Sequence, residues 1–113
     1  MPGVTAALHH SADHDDRSPR EREAAVFSRQ AAALRASQAE GDIAQTRALE
    51  DNRLLWRTVL LLQTDPANAL PADLRRSIIA LGFALLHEME RLEPDFAFLA
   101  EMNEQVMAGL LSG

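Results

Sequence analysis

One start signal and three breaks divide this chain, after residue 17, into four helical lengths, and that punctuation limits the fold more than any other property. Ser18-Pro19-Arg20-Glu21 opens the first length. Ser18 has the side chain of an N-cap, Pro19 suits the first helical position, and Glu21 stands where a capping box needs it. Gly41 ends that length, and Asp42 with Gln45 starts the next. Asp65-Pro66 stops the second, and Asn68-Ala69-Leu70-Pro71 makes a turn into the third, whose first turn carries Asp73 where the helix dipole favours an acid. Glu93-Pro94-Asp95 separates the third from the last.

The apolar spacing inside each length is helical. Ala24, Phe27, Ala31 and Leu34 form a narrow stripe over about 19–40. From Ile43 to about Thr64, Leu49, Trp56, Val59 and Leu60 share a face, while Leu54, Leu55, Leu61 and Leu62 spread the apolar arc over most of the circumference, as in a helix buried on several sides. From Ala72 to Leu92 two stripes run side by side, with Leu74, Ile78, Leu81, Leu85 and Met89 on one and Ile79, Phe83 and Leu86 on the other. That double stripe predicts the central helix, and Gly82 within it predicts a close helix crossing. The last length, about Asp95 to Leu111, turns Phe96, Leu99, Met102 or Asn103, Val106 and Leu110 inward. Leu70 is placed to staple back onto Leu74 or its neighbours.

Residues 1–17 lack this regularity and crowd His9, His10 and His14 among Asp13, Asp15 and Asp16. They read as a flexible or partly helical segment, with a short extra helix over Thr5 to His10 as the most it would form. The whole chain has 113 residues, one domain's worth, and its remainder, 18–113, is that domain. Aromatics are only 4 % of the chain, so its core must be built from aliphatic residues, which favours helices over sheets. The fold class is all-α: a small antiparallel bundle of four main helices, with or without the short N-terminal one.

The motifs in the second half carry a family likeness. Asn52-Arg53-x-Leu55-Trp56 is followed by Asp65-Pro66-x-Asn68-Ala69-Leu70-Pro71-x-x-Leu74-Arg75, then by Asn103 with Gly109-Leu110 after it, and Ser18-Pro19-Arg20 stands upstream. In order and spacing these resemble the alphaproteobacterial flagellar biosynthesis regulator FlaF, over roughly residues 18 to 113. The chain departs from that family in having no Tyr in an early helix. The resemblance implies a role in flagellin production and export, acting with or against the translational regulator FlbT.

Nothing in the residues offers catalytic machinery. His87 with Glu88 and Glu90 has no nucleophile beside it, and Glu88 and Glu90 point to other sides of the helix. The five glycines make no phosphate-cradling loop. His10 and His14 are the one histidine pair at metal-ligand spacing, and they lie in the irregular segment, so neither metal nor cofactor is expected. All eleven basic residues are arginine, against seventeen acids, for a formal charge of −6, which argues against direct nucleic-acid binding. No cysteine is present and no apolar run approaches the ~20 residues that span a bilayer, so a cytoplasmic protein away from membranes is expected.

A non-enzyme that binds a partner is therefore the expectation. Trp56 reads as the largest core side chain, its indole N–H needing a partner such as a loop carbonyl. Asn52 reads as a structural hydrogen-bonder to a helix end or the 65–71 turn, Asn68 as the residue that holds that turn, and Arg53 as either a surface ion pair or a partner contact. Asn103 either pairs with Asn52 or fixes the register of a bound helix. Leu54, Leu55, Leu61 and Leu62, with Phe98, Met102 and Met107, exceed what one face per helix hides. They form either a groove for an amphipathic helix or the seam of a tight core or homodimer. The partner-binding candidates are thus Arg53, Leu55, Leu61, Leu62, Phe98, Met102, Asn103 and Met107. Joined to the family likeness, the groove reading gives a chaperone-like factor that holds the amphipathic terminal helices of flagellin for export. A post-transcriptional regulator of flagellin mRNA working with FlbT and a homodimeric helical scaffold are the alternatives.

Overall fold

Ser18 starts a helix by the reciprocal exchange its sequence signals: Glu21 N–H donates to Ser18 Oγ at 3.1 Å, and Ser18 N–H donates to Glu21 Oε1 at 3.1 Å. The computed structural model describes residues 16–112, and all regular structure among them is α-helical. The four helices are α1 (Pro19–Glu40), α2 (Asp42–Leu62), α3 (Ala72–Met89) and α4 (Phe96–Ser112). The histidine-rich segment and the short helix expected within it lie outside the described residues.

A single residue joins α1 to α2. Gly41 has φ +97°, a backbone region that side chains with a Cβ rarely adopt, and it closes one helix and opens the next without side-chain capping by Asp42. The link between α2 and α3 is longer and is held by side chains. Asp65 Oδ1 accepts from Ala67 N–H at 2.9 Å, and Asn68 both donates to Leu62 O at 2.9 Å and accepts from Leu70 N–H at 3.0 Å. Pro66 sits in this turn, and Pro71 ends it as the N-cap of α3. Before α4, Asp95 Oδ1 caps Phe98 N–H at 3.0 Å, while its own N–H donates to Glu88 Oε2 at 2.9 Å.

α1 packs most extensively on α4 and next on α2, and α2 in turn carries α3. The buried face of α1 is Ala24, Val26, Phe27, Ala31, Leu34 and Ser37. Small residues at Ala24 and Ala31, and at Ala100 on α4, suit the close approach of these two helices, which an Arg35–Glu104 ion pair bridges at the surface. Burial of Leu34, Leu55, Leu85 and Leu99 is complete. At ~1.5–3 kcal/mol per buried side chain, these leucines with Phe27 and Trp56 supply most of the drive to fold.

α3 departs from the sequence expectation. Its double stripe suggested the central helix, yet only Gly82, Leu85 and Met89 are buried, and Leu74 and Phe83 remain exposed. The centre is α1, whose narrow stripe lies between α4 and α2. Gly82 does mark a close crossing, since a Cβ there would stand 2.7 Å from Leu60 Cδ2 and 2.9 Å from Leu60 Cγ. α3 therefore rests its glycine against Leu60 of α2, buries Leu85 and Met89 in the core, and turns Leu74 and Phe83 outward. Leu70 joins Ile78 in lining a groove.

Candidate functional site

An apolar groove of about 560 Å³ opens where the start of α1, the end of α2, the middle of α3 and the end of α4 meet. That volume is within the range of about 300–1,000 Å³ typical of ligand sites. α1 contributes Phe27 and Glu23, with Ser18, Pro19 and Arg20 at the margin. α2 contributes Trp56, Val59 and Leu62, one turn apart along its buried side. Ile78 and Leu81 come from α3, and Val106 and Leu110 from α4. α3 packs chiefly on α2, which leaves a wedge between α3 and the last turns of α4.

Trp56 anchors this region. Its ring meets Phe27 edge-on, centroids 5.8 Å apart and planes at 61°, a favourable aromatic geometry. The residue is only 1 % exposed, and its indole Nε1 has no hydrogen-bond partner among the described residues. No loop carbonyl among the described residues takes up that N–H, and the polar side chains of the neighbouring turn are engaged with backbone and with each other. Gln63 donates to Val59 O at 3.0 Å, and Asn68 Nδ2 reaches Leu62 O and, at 3.3 Å, Gln63 Oε1. Those bonds hold the groove's rim in place.

Glu23 is the anionic group of the lining. Burial raises its carboxyl above the ordinary glutamate value, and the nearby Arg20 and Arg22 guanidinium groups offset part of that shift. Sequence reasoning passed over Glu23 and Gln63. The signal for Glu23 was present: it stands four residues before Phe27, on the line that continues to Ala31, so a charge interrupts the apolar stripe of α1.

The residues singled out from the sequence are dispersed. Leu62 lines the groove. Leu55 and Asn103 are fully buried, so no partner reaches them while the helices stay packed. Asn52, equally buried, exchanges two hydrogen bonds with Asn103 and takes Gln30 Oε1 as a further acceptor at 3.3 Å. Arg53 is engaged within the molecule, with Nη1 on Glu50 and Nε 3.3 Å from Glu90 Oε1; the Nε approach is an ion pair, not a directed hydrogen bond. Phe98, Met102 and Met107 are partly buried against the core and do not line the groove. Leu61 is exposed on the other side of α2, in a shallow depression shared with Arg57, Leu60, Thr64, Ile79 and Phe83.

His87 is exposed, and its neighbour Glu88 serves the turn into α4 by holding Arg91 and Asp95 N–H. Among the described residues no three His, Cys, Asp or Glu side chains gather as a metal site would need. His9, His10 and His14 lie outside them. No helix among the described residues is long and apolar enough to cross a membrane.

Comparison with known proteins adds one match. The family model described as "Flagellar protein FlaF" covers residues 6–110, nearly the whole chain. No curated protein and no solved structure gives a significant match.

Proposed function

This chain belongs to the FlaF family of flagellar proteins, and from that membership we propose that it binds flagellin as a chaperone-like factor, supporting flagellin production, export and filament assembly. The apolar groove between α1, α2, α3 and α4 is the observation that carries the reading. Flagellin monomers bear amphipathic terminal helices that associate if left bare, and such a helix seats its apolar face in a groove of this kind. Phe27, Val59, Leu62, Ile78, Leu81 and Leu110 supply the apolar surface. The protein acts in the cytoplasm by binding, without catalysis or cofactor, and its effect on FlbT-dependent regulation follows from how much flagellin it holds.

Affinity in this reading comes from apolar burial, because the groove's lining is mostly apolar, with Arg20 and Glu23 its charged members. The test is co-expression with the cognate flagellin followed by size-exclusion chromatography at low and high salt. A complex that persists at high salt is expected, whereas collapse on adding salt would refute an apolar groove as the binding site.

A second reading has its own observation. Leu61 and Phe83 are 70 % and 63 % exposed on the outer side of α2 and α3, away from the groove. An exposed apolar pair of this kind suits a homodimeric scaffold. Light scattering across a concentration series decides it, since a monomer at all concentrations excludes the dimer.

A further inference from the structure

Among the described residues, the groove's lining holds one fully buried side-chain donor that no acceptor meets. Ser18 and Glu21 satisfy each other in the capping box, and Gln63 and Asn68 are bonded to backbone and to one another. Trp56 Nε1 is buried and has no partner among the described residues. An orphaned buried donor costs about 1–3 kcal/mol, and native proteins leave few of them. Phe27 packs against the indole at an angle, and neither it nor the aliphatic side chains of the groove carry an oxygen or nitrogen to accept that N–H.

We propose that Trp56 is the specificity-determining residue of the groove, and that its indole N–H is completed by a neutral hydrogen-bond acceptor projecting from the apolar face of the bound helix. This rests on the flagellin-binding reading and sharpens it. A serine or threonine hydroxyl or an asparagine or glutamine amide oxygen fits. A carboxylate does not, because Glu23 already places a partly buried anion in the lining and a second charge would have to shed its water there. A wholly apolar helix would fill the groove yet leave the N–H orphaned, so the acceptor discriminates between helices of equal hydrophobicity. Since Nε1 is covered in the free protein, docking must also part the side chains over it. Leu62, Ile78 and Leu110 line the groove and are each only partly buried.

Because the chain has a single tryptophan, its indole N–H gives one resonance that reports directly on this bond. The experiment titrates the full-length, nitrogen-15-labelled protein with purified cognate flagellin monomer. It then repeats the binding with Trp56 replaced by benzothienylalanine, which keeps the ring shape and exchanges the N–H for sulfur. The expected result is a downfield shift of the indole proton on saturation, about tenfold weaker binding of the sulfur analogue, and an unlowered melting temperature of that analogue without partner. Tenfold corresponds to about 1.4 kcal/mol, the scale of one hydrogen bond. Three results would overturn the inference: an indole resonance unmoved at saturation, equal affinity of the analogue, or a lowered melting temperature of the free analogue, which would mean that the N–H is already bonded. Failure of the native protein to bind flagellin at all would instead remove the reading beneath it.

Discussion

Asn52 and Asn103, fifty-one residues apart in sequence, bond each other twice, Asn52 Nδ2 to Asn103 Oδ1 at 3.1 Å and Asn103 Nδ2 to Asn52 Oδ1 at 3.3 Å, with both side chains fully buried. Asn103 Nδ2 also donates to Leu99 O at 2.7 Å. The pair locks α2 to α4 in one register, because any slip would orphan two amides in an apolar interior. Asn52→Ala or Asn103→Ala should each cost about 1–3 kcal/mol. The double alanine variant should cost less than the sum of the two, since the second change removes the group that the first left unpaired. Urea denaturation of the three variants measures this directly, and strict additivity would show that the two amides act independently.

Gly82→Ala opposes two effects. Alanine is the better helix former by up to ~1 kcal/mol, but its Cβ would meet Leu60 Cδ2 and Cγ below 3.0 Å, and overpacking costs about 1–3 kcal/mol. Net destabilisation is expected, since Cγ lies too near the Leu60 backbone to swing away freely. In a Leu60→Ala background the same change should become stabilising. Melting temperatures of the four proteins in that cycle check both signs.

Trp56→Ala should loosen or unfold the domain, because truncating a buried Trp costs ~3–5 kcal/mol and small domains are stable by only ~5–15 kcal/mol. Circular dichroism on heating is the readout. An unchanged melt with flagellin binding lost would make Trp56 a contact residue alone and remove it from the core.

Glu23 gives a pH signature of defined sign. Its folded-state pKa is raised chiefly by burial, so folding favours the protonated form: stability increases as pH falls through the folded pKa and is lost again above it. At neutral pH the charge is a burden on the fold. Glu23→Gln should therefore melt higher than the native protein at pH 7, with the advantage shrinking toward pH 4. An advantage independent of pH would mean that the carboxyl is not desolvated.

Leu61 and Leu62 are adjacent in sequence and face different surfaces, Leu62 at the groove and Leu61 in the outer depression. Leu62→Asn should weaken flagellin binding by roughly tenfold or more, consistent with ~1.5–3 kcal/mol for a leucine side chain withdrawn from water. Leu61→Asn should leave binding unchanged. Isothermal titration of both variants tests the location of the site, and the reverse pattern would move it to the outer face of α2 and α3.

The helices and their ends were legible in the sequence because local chemistry sets them. Ser18 with Glu21, Gly41, Asp65-Pro66, Pro71 and Pro94-Asp95 act within a turn or two of where they stand, and each bounds a helix in the structure. The buried stripe of α1 was equally legible, since residues three and four apart share a face wherever that face turns. Which helix lies at the centre was decided only by tertiary packing. α3 has the wider apolar arc, yet α1 carries the alanines that allow α4 to approach closely, and close packing over a long face outweighs apolar content on a short one. The groove is of the same kind: Glu23, Trp56, Leu81 and Leu110 come from four helices, and no spacing along the chain brings them together. The unsatisfied indole of Trp56 follows from the same cause. A side chain's need for a hydrogen bond is a property of the residue, but whether a partner arrives depends on how the helices meet.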